Sequence, residues 1–406
     1  MTGVKEQYEA YPYPARDPAE EAERLIAGSP SDPVEVDHFL FQGRRDWSAP
    51  FRALVAGGGT GDALIMLAQR LSDIGCPAEI TYLDLSTASR EIAEARAAAR
   101  KLTNIRWITG DLLDAPAHGP FDYIDCCGVL HHLPDPDAGF RALAEVLTPG
   151  GGMGVMVYAP LGRSGVYPLQ EAFGRLFAGD TPAQKVKLAG AALDRLAPTH
   201  PFQRNPLVGD HKQGDAGLYD LLLHSQDRPY RVEELVAALR QAGLDLVSFV
   251  EPARYDPRRY LPGDPAFASR IKVQEPVARA ALAELLSGSM KTHIAYATHA
   301  DRAEDAEARP SRPDAVPHLR GVNAQALAQQ VSAKAGFNLT AEGLEYRVDL
   351  AKGSAPMIAA IDGRKPLSEI AKTVGLDWLV FLQHWGAVSQ ALTGFNLLHY
   401  SRGARR

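Results

Sequence analysis

Apolar positions in the first half of the chain switch regularly between two periods. FRALVAG (51–57) is a short apolar run ending in glycine and predicts a buried strand. Leu64, Leu67, Ala68, Leu71 and Ile74 then recur at helical spacing until Gly75 and Pro77 stop the helix. EITYLDL (79–85) is the next strand, and Ser86 is placed to cap an Ala-rich helix through EIAEARAAARKL. NIRWITGD and FDYIDCCGVL predict the third and fourth strands. Phe140, Leu143 and Leu147 mark a helix ending at TPGGG, and MGVMVYA is the fifth strand. Such alternation implies right-handed crossovers and a parallel sheet covered on both faces, a doubly wound α/β domain.

The flanks break this rhythm. Residues 1–48, rich in Pro, Tyr and charge, predict an irregular arm with one short helix around EEAERLIAG. After the α/β core at 49–160, residues 161–230 predict a helical insertion, with Val186, Ala189, Leu193 and Leu196 on one face. RVEELVAALRQAGL as a helix, then LDLVSFV and MKTHIAYATHA as strands, complete the sheet over 231–300, with a smaller insertion near 252–289. Residues 301–316 are charged, contain Pro and lack large apolar side chains, so a linker is expected. Residues 317–406 form a separate C-terminal α+β unit. LSEIAKTV and DWLVFLQHWGAVSQAL predict helices and FNLLHYS a terminal strand, a winged-helix-like order.

Composition narrows the class of protein. The 406 residues are 46% apolar and 23% charged with a net charge of -6, which excludes general disorder and any global attraction to polyanions. The three cysteines, two of them adjacent, do not make a disulfide framework. The N-terminus lacks a signal-peptide core, and no segment reaches the roughly 18 to 20 apolar residues of a membrane helix. A cytoplasmic protein without a membrane partner is expected.

Chemistry concentrates at strand ends. Gly57, Gly59 and Gly61 form GxGxG between a strand and a helix, where missing Cβ atoms allow a sharp turn and close ligand approach. A dinucleotide site would place its last glycine at position 62. Asp62 stands there, and its carboxylate would repel a pyrophosphate. Asp84 ends the second strand, where a carboxylate accepts hydrogen bonds from ribose hydroxyls. Asp111 follows Gly110 at the tip of the third, in reach of an exocyclic amine. Ligands of such sheets lie outside the carboxyl ends of the strands at the switch in strand order, and these groups all end strands there.

Taken together, LVAGGGTGD, YLDLS, ITGDLLD, FDYIDCCGVLHHLPDP and LTPGGGMGVMVY resemble the motif series of class I S-adenosylmethionine (SAM)-dependent methyltransferases over roughly residues 50 to 160. The resemblance implies a Rossmann-like sheet and SAM as cofactor, with S-adenosylhomocysteine as product. It places Gly57, Gly59 and Gly61 along the methionine part, Asp84 with Leu85 at the ribose, and Asp111 with Leu112 at the adenine. Cys127 and Gly128 would lie near the sulfonium. The family usually has an acidic residue two positions before the first glycine. Val55 stands there, so the carboxylate that helps to hold the SAM amine is expected to be replaced. YEAYPYP, GRSGVYPLQE and LLHSQDRPYRVEEL further resemble a bacterial group that includes protein-lysine methyltransferases, which implies an N- or O-nucleophile such as a lysine side chain.

Methyl transfer is an in-line displacement governed by positioning, and an amine acceptor must be neutral to attack. The arm offers Tyr8, Tyr11 and Tyr13, with Pro12 and Pro14, as a stiff strip to close over SAM. The insertion offers His224 and Asp227 as a base pair and Arg228 for a carboxylate; Tyr11 and Tyr13 complete the catalytic candidates. Arg44 and Arg45 are candidates for the SAM carboxylate. A zinc site from Cys126, Cys127, His131 and His132 is disfavoured, because adjacent strand residues point to opposite faces, and no metal is expected. Alternatives are a metabolite methyltransferase, a nicotinamide oxidoreductase disfavoured by Asp62, and a SAM-sensing nucleic-acid binder. The last is disfavoured because DWLVFLQHWGAVSQAL lacks the Lys/Arg density of phosphate contacts, although the chain ends in Arg402, Arg405 and Arg406. The acceptor, protein or small molecule, and a homodimer stay open.

Overall fold

The computed structural model describes residues 2–261 and 263–403. Seven strands form the main sheet: β1 (Phe51–Ala56), β2 (Ala78–Asp84), β3 (Ile105–Thr109), β4 (Phe121–Cys127), β5 (Leu147–Tyr158), β6 (Leu244–Phe249) and β7 (Thr292–His299). Their order is β3-β2-β1-β4-β5-β7-β6, with β7 antiparallel to its neighbours. Strand order reverses between β1 and β4, which opens a crevice above their carboxyl ends. The apolar runs of these strands explain their burial: Ala53, Leu54 and Ile124 are fully enclosed between helical layers.

Three helices precede or flank the first strands: α1 (Thr2–Ala10), α2 (Pro33–Leu40) and α3 (Asp62–Asp73), followed by α4 (Thr87–Ala99) and α5 (Pro136–Glu145). Ser86 caps α4 through the Ser89 amide at 3.1 Å, as its position in the sequence suggests. Between β5 and β6 come α6 (Val166–Leu176), α7 (Pro182–Leu193), α8 (Pro201–Arg204), α9 (Asp215–Leu222) and α10 (Val232–Gln241). Helices α6, α7 and α9 share a small core of Leu169, Phe173, Ala189, Leu193 and Leu222, distinct from the core under the sheet. Helices α11 (Pro265–Lys272) and α12 (Pro276–Ser287) lead into β7.

The arm is more ordered than its composition predicts. Helix α1 ends inside YEAYPYP, at Ala10, and the EEAERLIAG segment contributes only to a turn of 3₁₀ helix over Pro18–Ala22. Helix α2 is buried along its whole length. Its Phe39 stacks on Tyr296 of β7 at 4.7 Å, while its polar side chains face the C-terminal residues. Asp37 accepts a 2.6 Å bond from the Ser401 hydroxyl, and Tyr400 donates its amide to His38. Glu35, fully buried, pairs with Arg320 and accepts from Ser29 and Tyr296.

The expected linker is also packed. Ala306, Ala308 and Ala315 are buried, and Ala308 donates its amide to the His38 carbonyl. Beyond it, β8 (Pro317–Leu319) pairs with β11 (Leu398–Tyr400), and β9 (Gly336–Ala341) with β10 (Leu344–Asp349). Helices α13 (Ala324–Lys334), α14 (Ala355–Ala359), α15 (Leu367–Thr373) and α16 (Trp378–Thr393) enclose a core containing Phe381, Trp385 and Val388. The apolar face of α16 is thus spent on this core. Arg402 pairs with Asp314, while Arg405 and Arg406 lie outside the described residues.

Arg320→Met is expected to lower stability by about 3 kcal/mol, because it strands the fully buried Glu35 without its cation. Urea unfolding of the full chain measures this, and an unchanged midpoint would show that the pair contributes nothing net.

Candidate active site

The crevice between β1 and β4 opens into a cavity of about 420 Å³. Its floor comes from the strand ends that the sequence singled out. Gly57, Gly59 and Gly61 all have positive φ and line it. A Cβ at Gly57 would meet the Val129 side chain at 2.3 Å, so only glycine permits this close turn. Asp84 lies beside the loop, accepting the Gly59 amide on Oδ2 and the Ser86 amide on Oδ1, both at 2.8 Å. Burial raises its pKa, and those two amides oppose the shift. Leu85, Asp111 and Leu112 follow along the wall. Asp111 uses Oδ1 to cap the Leu113 amide, leaving its other oxygen for a ligand donor. Cys127 and Gly128 line the cavity at the end of β4.

Asp62, the residue that argues against a phosphate site, is the hub of an ion-pair network. Arg16 grips it bidentately at 2.8 and 2.5 Å, and Arg96 reaches it at 2.8 Å while also holding Glu21. Burial alone would raise its pKa, but the two arginines reverse this and lower it. The network ties the arm to the glycine loop. Thr60 donates to the Pro14 carbonyl at 2.8 Å, and Glu9 accepts the Thr87 and Ala88 amides at the N-terminus of α4. The arm is thereby laid over the cavity, with Val4, Tyr8, Tyr13 and Pro14 as its roof.

At the cavity the arm, the loop after β4 and the insertion meet. Asp220 of α9 accepts from the Tyr8 hydroxyl at 3.1 Å and the Tyr158 hydroxyl at 3.2 Å. Burial raises the Asp220 pKa, against the opposing influence of His132, the Tyr8 bond and Arg163. His224 accepts the Gln226 amide on Nδ1 at 3.1 Å, which leaves its proton on Nε2, 3.3 Å from the Tyr8 oxygen. Burial and the neighbouring His132 hold His224 far below the ordinary histidine range. His132 has the opposite tautomer. Its Nδ1 lies 2.6 Å from the Gln226 carbonyl and donates to it, so the Nε2 lone pair is free. His132 lines the cavity and stacks on His224 at 3.7 Å.

The remaining candidates are arranged differently from the expectation. Asp227 accepts from Gln170 at 2.9 Å and sits 3.5 Å from Arg163, so it steadies the insertion rather than pairing with His224. Tyr11 stacks on Tyr219 at 5.3 Å outside the cavity lining, whereas Tyr13 lines it. Arg228 lies over the Tyr230 ring, and Arg45 packs on Phe51 at the opposite end of β1. Cys126 is buried in the core under the sheet. His132, Asp220 and His224 bring possible metal-donor atoms within 4.8 Å of one another, but the His224 tautomer turns an N–H, not a lone pair, toward that group. Sequence reasoning weighed His132 only as a disfavoured zinc ligand and did not single out Asp220.

The methyltransferase-domain family model matches residues 54–153, the span from β1 into β5. An uncharacterized protein of Synechococcus sp., syc1184_c, is 30% identical over 305 residues, covering 72% of this chain and 70% of that protein. A ubiquinone biosynthesis O-methyltransferase of Albidiferax ferrireducens is 32% identical over 97 residues, covering 20% of this chain and 38% of that enzyme. The chain belongs to the class I SAM-dependent methyltransferases. Among solved structures, PKMT2 from Rickettsia typhi superposes with a TM-score of 0.60 at 15% identity, over 97% of this chain and 75% of that one, a likeness of fold that extends through the C-terminal unit. SAM is the cofactor of this methyltransferase, and the cavity suits it. Among the described residues no Lys or Arg lines the cavity, while Asp62, Asp84, Asp111, Asp125 and Asp220 do, in keeping with a ligand of net positive charge. No helix among the described residues is long and apolar enough to cross a membrane.

Proposed function

We propose that this methyltransferase moves the SAM methyl group to the side-chain nitrogen of a protein, a lysine amine being the acceptor that the site favours, in the reducing cytoplasm. The observation that carries this reading is the part of the cavity where the arm, the loop after β4 and the insertion meet. It is built from Asp220, Tyr8, Tyr13 and Tyr158, with no Lys or Arg among the described lining residues and with His132 Nε2 presenting a lone pair. A carboxylate hydrogen-bonded to two phenols attracts a cationic acceptor, and His132 Nε2 takes the proton that the acceptor must lose. Burial of the amine beside a sulfonium lowers its pKa in the same direction.

In this reading Gly57, Gly59 and Gly61 border the methionine moiety, Asp84 with Leu85 holds the ribose, and Asp111 with Leu112 meets the adenine. Cys127 and Gly128 flank the reacting centre. The cofactor supplies an electrophilic methyl group. The chain's own residues align the nucleophile with it, exclude water beneath the arm, and accept one proton at His132. Tyr8 and Tyr13 wall the acceptor channel, while Tyr11, His224 and Asp227 hold the walls in place. At about 420 Å³ the cavity is within the range of ligand sites, which run from about 300 to 1,000 Å³. The likeness to PKMT2 runs over nearly the whole chain. The ubiquinone enzyme, by contrast, is matched over only 97 residues.

The test is to incubate the purified chain with radiolabelled-methyl SAM and an extract of the source organism, then separate macromolecules from small molecules. Label in discrete protein bands, released as methyl-lysine on acid hydrolysis, is the expected result. Label confined to small molecules would overturn the protein-acceptor reading.

A further inference from the structure

A class I site usually holds the amino group of SAM with help from a carboxylate near the end of β1, and here Val55 occupies that position. In the parallel register of β1 and β4, Val55 is paired directly with Asp125. In-register residues of adjacent parallel strands lie roughly 5 Å apart and point to the same face. Both line the cavity, beside Gly57 and the Gly28–Pro30 wall. The carboxylate missing from β1 therefore reappears one strand across.

Asp125 is held for this position. Its Oδ2 accepts the Ser31 hydroxyl at 2.5 Å and the Cys127 thiol at 3.5 Å. Ser31 is fully buried and is itself fixed by the Tyr123 hydroxyl at 2.9 Å. The Ser31 and Cys127 bonds engage the same oxygen, and among the described residues none reaches Oδ1. A carboxylate that is 2% exposed, oriented through one oxygen and without a cation, has a half of its capacity left for a ligand. Burial pushes its pKa up to about 6, a shift that an ammonium beside Oδ1 reverses.

We infer that Asp125 binds the α-ammonium of SAM, so that the site has moved its ammonium carboxylate from the first strand to the fourth and uses Ser31 of the N-terminal segment to orient it. The inference rests on the cofactor placement proposed above. It also gives the N-terminal segment a part in cofactor binding: the Gly28–Ser31 wall is anchored to the C-terminal unit by Arg320 and by Asn396, which donates to Ser29 at 3.0 Å.

Asp125→Asn and the strand exchange Val55→Asp/Asp125→Val test this by calorimetry, with S-adenosylhomocysteine and 5′-methylthioadenosine, which lacks the amino-acid portion, as probes. In Asp125→Asn the affinity for S-adenosylhomocysteine should fall about 10- to 100-fold, the loss of a charged hydrogen bond. Affinity for 5′-methylthioadenosine should stay within about twofold. The strand exchange should recover most of the lost affinity. An equal loss for both probes would make Asp125 a structural residue and overturn the proposal. Unchanged S-adenosylhomocysteine affinity with poorer use of the acceptor would assign Asp125 to the acceptor amine and overturn it as well. Failure of the wild-type chain to bind S-adenosylhomocysteine would instead overturn the cofactor placement itself.

Discussion

Asp84→Ala is expected to remove measurable SAM binding while leaving the chain folded. The side chain has two acceptor oxygens, each already receiving one backbone amide, from Gly59 and Ser86. Each oxygen has a second lone pair, and the ribose of the cofactor offers two adjacent hydroxyls. A carboxylate that accepts both gains two charge-assisted bonds, each about 1.5 to 3 kcal/mol. The variant loses both, and the glycine loop loses the anchor at Gly59 that sets its approach to the ligand. Together these predict at least about a 100-fold fall in S-adenosylhomocysteine affinity. Neither oxygen pairs with a buried cation, so no stranded charge accompanies the change, and the sheet below is held by apolar contacts such as Leu54, Leu83 and Ile124. Calorimetry combined with a thermal melt is the measurement. Retained affinity in a folded variant would mean that the ribose lies elsewhere.

The strand ends were legible because their signals are local. A short apolar run closed by glycine makes a buried strand and a tight turn whatever surrounds it, and Asp84 and Asp111 fall at strand tips by counting. The arm was not legible for the opposite reason. Helix α1 is nine residues long, too short to be stable alone, and it forms where Glu9 caps α4 and Tyr8 reaches Asp220, contacts to residues far along the chain. The 301–316 segment misled because its buried residues are three alanines and Val316, small side chains that carry little hydrophobic signal, and Ala308 meets α2 at His38. Asp62 illustrates a third case: its carboxylate was visible in the sequence, but its partners Arg16 and Arg96 come from two other segments of the chain. The placement of Asp125 opposite Val55 needs the register of two strands separated by 70 residues in sequence, which no motif spacing encodes.

The base is the clearest instance of chemistry decided by a distant contact, and it carries the second large expected effect. His132 and His224 are stacked neighbours on the same patch, so sequence alone offers no reason to prefer one. The backbone at Gln226 separates them: its carbonyl receives the His132 Nδ1 proton, and its amide donates to His224 Nδ1. One peptide segment thus leaves His132 with a free Nε2 lone pair and His224 with an Nε2 proton directed at Tyr8. His132→Gln should therefore reduce the initial rate of methyl transfer to the acceptor by about 10²- to 10³-fold, the usual contribution of a positioned general base. S-adenosylhomocysteine affinity should change by less than about threefold, since the ring stands at the acceptor pole. His224→Asn removes a contact that positions Tyr8 and should cost only about tenfold, recovered in part by His224→Gln, which keeps a donor toward Tyr8. Rates from rapid-quench label transfer, alongside calorimetric affinities, separate the two roles. If His224→Asn proved the more damaging and His132→Gln nearly silent, the proton would have to leave through His224, and the tautomers set by Gln226 would have to invert when the acceptor enters.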